Sequence, residues 1–277
     1  MSISRLMQMG AAGAGGPTGL ASASYDNISG LFGGGQISSA EGFSFSPSGT
    51  QLLLMSATSS QMVEFTLSTG FNLASASYVR TKFFNSQTVT GRGITFNGTG
   101  TQLIIADQGP DELDLYSISP TYSINSFSFS GLKLDVSSQT TSANGVTFNN
   151  DGTKLYVCGL SNAVYTYNVS VPYLVNYGVY SSTFNPTDVS YAFTVRFNSD
   201  GTFCYVIDGI LNRIVEFVLS TPFDLSSAVH NFTLTSTSFG ISSIRDVAFN
   251  SDFTKMFVLG RTNCTIYQFS ITPPVAP

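Results

Sequence analysis

The sequence predicts an all-β chain, because three patterns recur along its 277 residues. One is a phenylalanine, a short polar turn and a hydrophobic run, with copies that begin at Phe45, Phe96, Phe148, Phe197 and Phe249. The steps between them are 51, 52, 49 and 52 residues. A second places an aromatic two positions before an aliphatic: Phe65 and Leu67, Tyr116 and Ile118, Tyr167 and Val169, Phe217 and Leu219, Phe269 and Ile271. A third is a turn of the form Ser-Thr-Pro-Phe-Asp-Leu ahead of a further strand, as at 220–225. A period this regular means one supersecondary unit used repeatedly. Four strands in each repeat of about 50 residues make the blade of a β-propeller. The expectation is a five-bladed β-propeller of four-stranded blades over residues 17–277, preceded by an extended arm over residues 1–16.

Each blade opens with a short run such as Gly93-Ile94-Thr95-Phe96 or Gly145-Val146-Thr147-Phe148. Asn, Asp and Gly separate it from a second apolar run, which marks a hairpin, since these residues tolerate the positive φ of a tight turn. Asp151 and Asp200 are therefore turn residues rather than acids of a site. Second strands are expected over 51–55, 102–105, 154–157, 203–206 and 255–258. In the third strand the aromatic and the aliphatic share one face of a period-2 pattern, which is core packing. The fourth strand follows the turn at 68–76 and 220–228, with looser versions around Tyr122 and Tyr173.

The fifth copy has three strands and then reaches Pro277. Its fourth strand stands at the other end of the chain, where Leu20-Ala21-Ser22-Ala23-Ser24-Tyr25 repeats Leu73-Ala74-Ser75-Ala76-Ser77-Tyr78, read as the fourth strand of the first copy. The N-terminal segment should complete the C-terminal blade and seal the ring, removing edges that would otherwise pair with another molecule. A stacked solenoid, the rival architecture, needs atypical caps rather than complementary ends. The cut falls between third and fourth strands, a loop that shares its face with the hairpin joining the first two. Both ends then leave from this bottom face, and the top face is the default binding surface.

Hydrophobic residues make up 42% of the chain, ample for a core, while charged residues are only 10%, well below the usual quarter. Ser, Thr, Asn and Gln must therefore cover much of the surface. The net charge of −5 argues against nucleic acid as a partner, since phosphate-backbone binding needs clustered Lys and Arg. No run of 18 apolar residues is present, so no membrane insertion is expected. At the N-terminus Arg5 precedes a mostly apolar run like that of a signal peptide, but Gln8 and the glycines break it. Cys158, Cys204 and Cys264 are too few and too scattered for a disulfide framework or a zinc site and read as buried small residues.

The chain has one histidine, His230, in a predicted outer strand and without Ser-His-Asp or Cys-His spacing. No catalytic residue, metal ligand or cofactor site is assigned. Five-bladed folds also host glycosidases, which need two carboxylates at the scissile bond. Glu41 and Asp246 near the channel mouth, with Asp107, Asp111 and Asp208 in second-to-third strand loops, neither repeat nor cluster in sequence. Gly33-Gly34-Gly35 has no helix pattern after it and reads as a flexible loop rather than a phosphate cradle. Glu41, Arg92, Asn144, Arg245 and Asp246 lie three or four residues before a repeat phenylalanine, at the top of the channel. Either they satisfy one another around water, or they form a small saccharide or surface-ligand site.

The arm supplies Ile3, Arg5, Leu6, Met7 and Met9, then a Gly-Ala tether over 10–16. It is either a disordered tail or a docking peptide that orders on a partner. Its opening string, Met1-Ser2-Ile3-Ser4-Arg5-Leu6-Met7-Gln8-Met9-Gly10-Ala11-Ala12-Gly13, resembles the start of many structural proteins of marine tailed phages, including cyanophages. Asp-Gly-Thr-Lys-Leu-Tyr-Val at 151–157 and Leu-Ser-Thr-Pro-Phe-Asp-Leu-Ser-Ser-Ala at 219–228 are similar to propeller repeats of phage and marine bacterial surface proteins. The resemblance implies a virion component assembled in the host cytoplasm. It would be held to other capsid or tail proteins by the arm, as a structural or decoration protein without enzymatic activity. The alternative is a tail-fibre-like adhesin for a host-surface glycan, and more distantly a glycoside hydrolase.

Overall fold

A computed structural model describes residues 18–32, 37, 39–58, 61–84 and 87–275. The first strand, β1 (Gly19–Leu31), belongs to the last blade. Blade one is β2 (Gly42–Phe45), β3 (Gln51–Ser56), β4 (Gln61–Leu67) and β5 (Ala76–Phe83). Blade two is β6 (Gly91–Phe96), β7 (Gln102–Asp107), β8 (Glu112–Ser119) and β9 (Ser126–Asp135). Blade three is β10 (Gly145–Phe148), β11 (Lys154–Cys158), β12 (Val164–Val169) and β13 (Gly178–Phe184). Blade four is β14 (Ala192–Phe197), β15 (Phe203–Asp208), β16 (Arg213–Leu219) and β17 (Ala228–Thr235). Blade five is β18 (Ile244–Phe249), β19 (Lys255–Gly260), β20 (Thr265–Thr272) and then β1. Every pairing is antiparallel between neighbours, so the protein is a five-bladed β-propeller.

Burial sorts the strands from axis to rim. All of β15 is buried, whereas β13 is exposed along most of its length. Each first strand touches the first strands of both neighbouring blades, and β18 returns to β2, which closes the ring. These strands come close because glycines line them: a Cβ at Gly42 would meet the Arg92 carbonyl at 2.7 Å. Apolar side chains gather in five buried clusters, one at each blade–blade interface. The third-strand aromatics Phe65, Tyr116, Tyr167, Phe217 and Phe269 are all buried there, as their spacing predicts.

The closing pairing runs from Gly19 opposite Thr272 to Leu31 opposite Thr265. Tyr25 stands opposite Phe269 as Tyr78 stands opposite Phe65, so the repeated hexapeptide holds the same register in both blades. One detail differs from expectation. Leu73–Ser75 is a 3-10 turn and the strand of blade one starts at Ala76, whereas the matching residues at the N-terminus lie within β1. Asn72 caps the turn by accepting from the Ala74 N–H at 3.1 Å, and Asp224 does the same for Ser226 at 3.0 Å in blade four. Gly19 takes that place before Leu20 and has no side chain to cap with. Its φ is +57°, and a Cβ there would collide with the Glu216 carboxylate.

In the polar turns Gly49, Gly100, Gly152 and Gly201 lie in the left-handed region, with φ between 68° and 73°. Each has a ring laid against its bare Cα: Phe71, Tyr122, Tyr173 and Phe223. Asp151 and Asp200 accept from the Thr153 and Thr202 backbone N–H groups at 2.9 Å and serve as turn residues. Register places these turns and the Gly19–Thr272 pair at one end of the blades, and the starts of β2, β6, β10, β14 and β18 at the other. The arm, with Ile3, Arg5, Leu6, Met7 and Met9, and the glycines at 33–35 lie outside the described residues.

Candidate functional site at the channel mouth

The mouth is built where each first strand begins. In blades two, four and five this point carries a β-bulge, between Gly91 and Ile94, Ala192 and Thr194, and Ile244 and Asp246. The extra residues are Arg92 with Gly93, Phe193 and Arg245. A bulge leaves one residue unpaired and re-aims its side chain, and these side chains line the mouth together with Glu41, Asn144, Thr194 and Asp246.

Glu41 is the hub. Its Oε1 lies 2.8 Å from Arg92 Nη1 and 2.6 Å from Arg261 Nε, and its Oε2 lies 3.2 Å from Arg245 Nε. Three guanidinium groups thus surround one buried carboxylate, leaving an excess of two positive charges. Arg92 donates further to Gln108 Oε1, at 2.8 Å from Nε, and Gln108 donates to Ser142. Arg245 lies over the Phe193 ring, 4.4 Å from its centroid, a cation–π contact strengthened by exclusion of water. Burial pulls the Arg245 pKa down, with Glu41 pulling the other way.

One layer deeper, Arg196 Nη2 pairs with Asp246 Oδ2 at 2.8 Å. Arg196 also donates to the Val146 carbonyl at 2.9 Å and the Val247 carbonyl at 3.3 Å, reaching across the channel from blade four to blades three and five. Asp246 accepts from the Phe43 N–H at 3.2 Å. Burial raises its carboxyl pKa despite Arg196 and the N–H groups of Phe43 and Val247.

All five predicted mouth residues, Glu41, Arg92, Asn144, Arg245 and Asp246, come together. The prediction omitted Phe193 and Thr194, which stand at the same offsets before Phe197 and were legible by that rule. Arg261 and Gln108 come from second-to-third strand loops that carry no periodic signal. Asp107 and Asp208 are buried, and hold backbone N–H groups of Val89 and Thr90, and of Ser190, at 2.7–2.9 Å. Asp111 accepts from the Ala143 N–H at 3.1 Å. His230 lies on β17, with Nε2 2.9 Å from Thr233 Oγ1. Among the described residues no three His, Cys, Asp or Glu side chains gather as a metal site requires.

The depression opens to solvent and is too narrow to enclose a water molecule, far short of the roughly 300 Å³ at which small-molecule pockets begin. Four arginines engage the two mouth carboxylates, so the mouth carries an excess of positive charge. Neither a protein-family model nor a curated protein matches the chain. Solved structures do. Hydrazine synthase of Kuenenia stuttgartiensis is 14% identical at a TM-score of 0.51, with 80% of this chain and 55% of that one covered. A candidate 6-phosphogluconolactonase from Bacteroides uniformis is 10% identical at 0.52, over 86% of this chain and 69% of the other. A protein of unknown function from Desulfotomaculum acetoxidans is 14% identical at 0.48, over 79% and 62%. At this identity the likeness establishes the fold alone.

Proposed function

We propose that the chain is a non-enzymatic virion protein of a tailed phage, a propeller head held to capsid or tail by its N-terminal arm. The observation that carries this reading is the Gly19–Thr272 pair at the end of the blades opposite the mouth. A segment leading into Gly19 joins the ring on that far face, so anchoring through it points the mouth outward. Ile3, Leu6, Met7 and Met9 give such a segment apolar side chains to bury in a partner, each contributing about 1.5–3 kcal/mol before ordering costs. Removing residues 1–12 should leave a folded, monodisperse ring that fails to join particles, and those residues fused to an unrelated domain should carry it in. Normal incorporation of the shortened protein would move the attachment surface to the ring itself. A second reading, an adhesin for a host-surface glycan, is favoured by the electropositive mouth, and a glycan array tests it.

A further inference from the structure

Blade three departs from its neighbours along the rim. Val171 stands where blades one and four have Thr69 and Thr221, and Tyr177 where they have Ser75 and Ser227. Those serines close the turn. Ser75 Oγ accepts from the Thr69 N–H at 3.1 Å and donates to the Asn72 carbonyl at 2.8 Å, and Ser227 Oγ does the same with Thr221 and Asp224 at 3.1 and 2.7 Å. Tyr177 gives up that stabilisation without gaining a buried position, since it is 46% exposed. Two residues on, Val179 is 68% exposed where β5 has Ser77 and β1 has Ser24. Val171 is exposed too, and the Ser170 N–H beside it donates to the Tyr177 carbonyl at 3.4 Å, so the three apolar side chains share one stretch of rim. A local rule broken without compensation marks a surface with another use.

β13 is the outermost strand of its sheet, paired with β12, and its residues 179–183 are exposed without interruption. An outer strand presents N–H and C=O groups that fit another extended strand. Other fourth strands guard that edge with charge: Arg80 and Lys82 on β5, Lys133 and Asp135 on β9, Asp26 on β1. β17 carries only His230, but its turn keeps Thr221 and Ser227. β13 has no charge, and it lies in the run 155–187, the longest stretch of the chain without a charged residue. A twofold contact brings each residue near the axis toward its own copy, so a charge there meets like charge. A charge-free edge therefore suits a second copy of a chain whose net charge is −5. We propose that the outer edge of blade three is a self-association surface, on which β13 pairs antiparallel with β13 of a second copy and Val171, Tyr177 and Val179 flank the contact. One pair of strand edges is a small contact beside the roughly 1,200 Å² of a stable complex, so the dimer is weak and reversible. The surface owes nothing to the arm, so it stands or falls apart from the virion reading.

The test is sedimentation velocity of the full chain from low-micromolar to near-millimolar concentration. The expected result is a reversible monomer–dimer equilibrium. The triple variant Val171→Thr, Tyr177→Ser, Val179→Ser carries residues that other blades already hold at these positions, so it should fold. It should raise the dissociation constant by on the order of tenfold or more. Val179→Lys alone should weaken the dimer at low salt and less so at high salt, because the added charge faces its own copy and is screened. Removing residues 1–12 should leave the dimer intact. A chain that stays monomeric throughout, a dimer untouched by both rim variants, or a dimer lost with residues 1–12 would overturn the inference.

Discussion

Phe217 shows how one side chain joins two blades. It is buried on β16 and meets Phe184 of blade three edge-on, with ring centroids 5.3 Å apart. Phe217→Ala would leave a cavity at an interface already closed by backbone, and should cost about 3–5 kcal/mol, read as a lower denaturant midpoint. Asp114 has the opposite character, a buried carboxylate that strains its surroundings. Its Oδ2 accepts from Thr88 Oγ1 at 2.5 Å, and the same hydroxyl lies 2.7 Å from the Tyr116 OH. Oδ1 has no partner among the described residues. Burial pushes the Asp114 pKa from 3.8 up to about 6, Thr88 opposing and the charges of Asp107 and Glu112 adding to it. The folded state therefore holds this proton more tightly than the unfolded chain, and stability falls as pH rises from 3.8 through about 6. The loss is at most about 3 kcal/mol at about 1.4 kcal/mol per unit. Urea melts of the protein and of Asp114→Asn, compared at about pH 4 and about pH 7, should show the variant losing less stability over that interval. Parallel behaviour of the two would mean the carboxylate is solvated.

At the scale of the turn, the fifth copy departs from the other four. Phe253 stands where they have glycine, and it too is left-handed, at φ 56°. The ring that covers the glycine elsewhere comes from the turn before the fourth strand, and in blade five the chain is cut at that turn. Phe253 supplies the ring from within. It stacks on Phe249 at 4.6 Å and Tyr205 at 6.1 Å, as Phe71 packs with Phe45 at 5.3 Å and Phe257 at 6.0 Å. Phe253→Gly matches the other turns and relieves about 1–2 kcal/mol of backbone strain, but loses a buried aromatic worth about 3–5 kcal/mol. A net loss of about 2 kcal/mol is expected, and a rise in melting temperature would show the ring to be dispensable. Periodicity made the blades and the five mouth residues legible, because core packing and ring position recur with each copy. It could not show that identical letters form a 3-10 turn at Leu73 and a strand at Leu20, since the neighbouring Asn72 or Gly19 decides. Nor could it show the bulges, which shift pairing by one residue without changing composition, or Arg261, which reaches Glu41 from a loop that does not repeat.

At the scale of the molecule, β1 does more than fill the fifth sheet. Leu20 and Tyr25 pack into the interface with blade four, while Ile28 and Phe32 pack into the interface with blade one. Phe32 meets Phe65 of blade one edge-on at 4.8 Å. Polar contacts fix the same strand: Glu216 of blade four accepts from the Leu20 N–H at 2.9 Å, and Asp26 holds Lys255 at 2.9 Å and Gln268 at 2.8 Å. Blade one uses the same device, with Glu64 accepting from the Ile124 N–H of blade two at 3.1 Å, so Glu216 ties the N-terminal strand into the ring as if the chain were continuous. Burial raises the Glu216 pKa, opposed by Leu20 and Asn231. Glu216→Ala should cost about 1–3 kcal/mol, because the Leu20 N–H loses its acceptor in a buried position. Deleting residues 1–32 goes further. It bares the edge of β20 and opens two of the five interfaces at once, and an unpaired edge invites association with other copies. Light scattering after size exclusion should find oligomers or aggregate, and the thermal transition should fall or broaden, while removal of residues 1–12 should change neither. A monodisperse 1–32 deletion that melts with the intact protein would show that three strands suffice for blade five and that β1 lies on the ring without closing it.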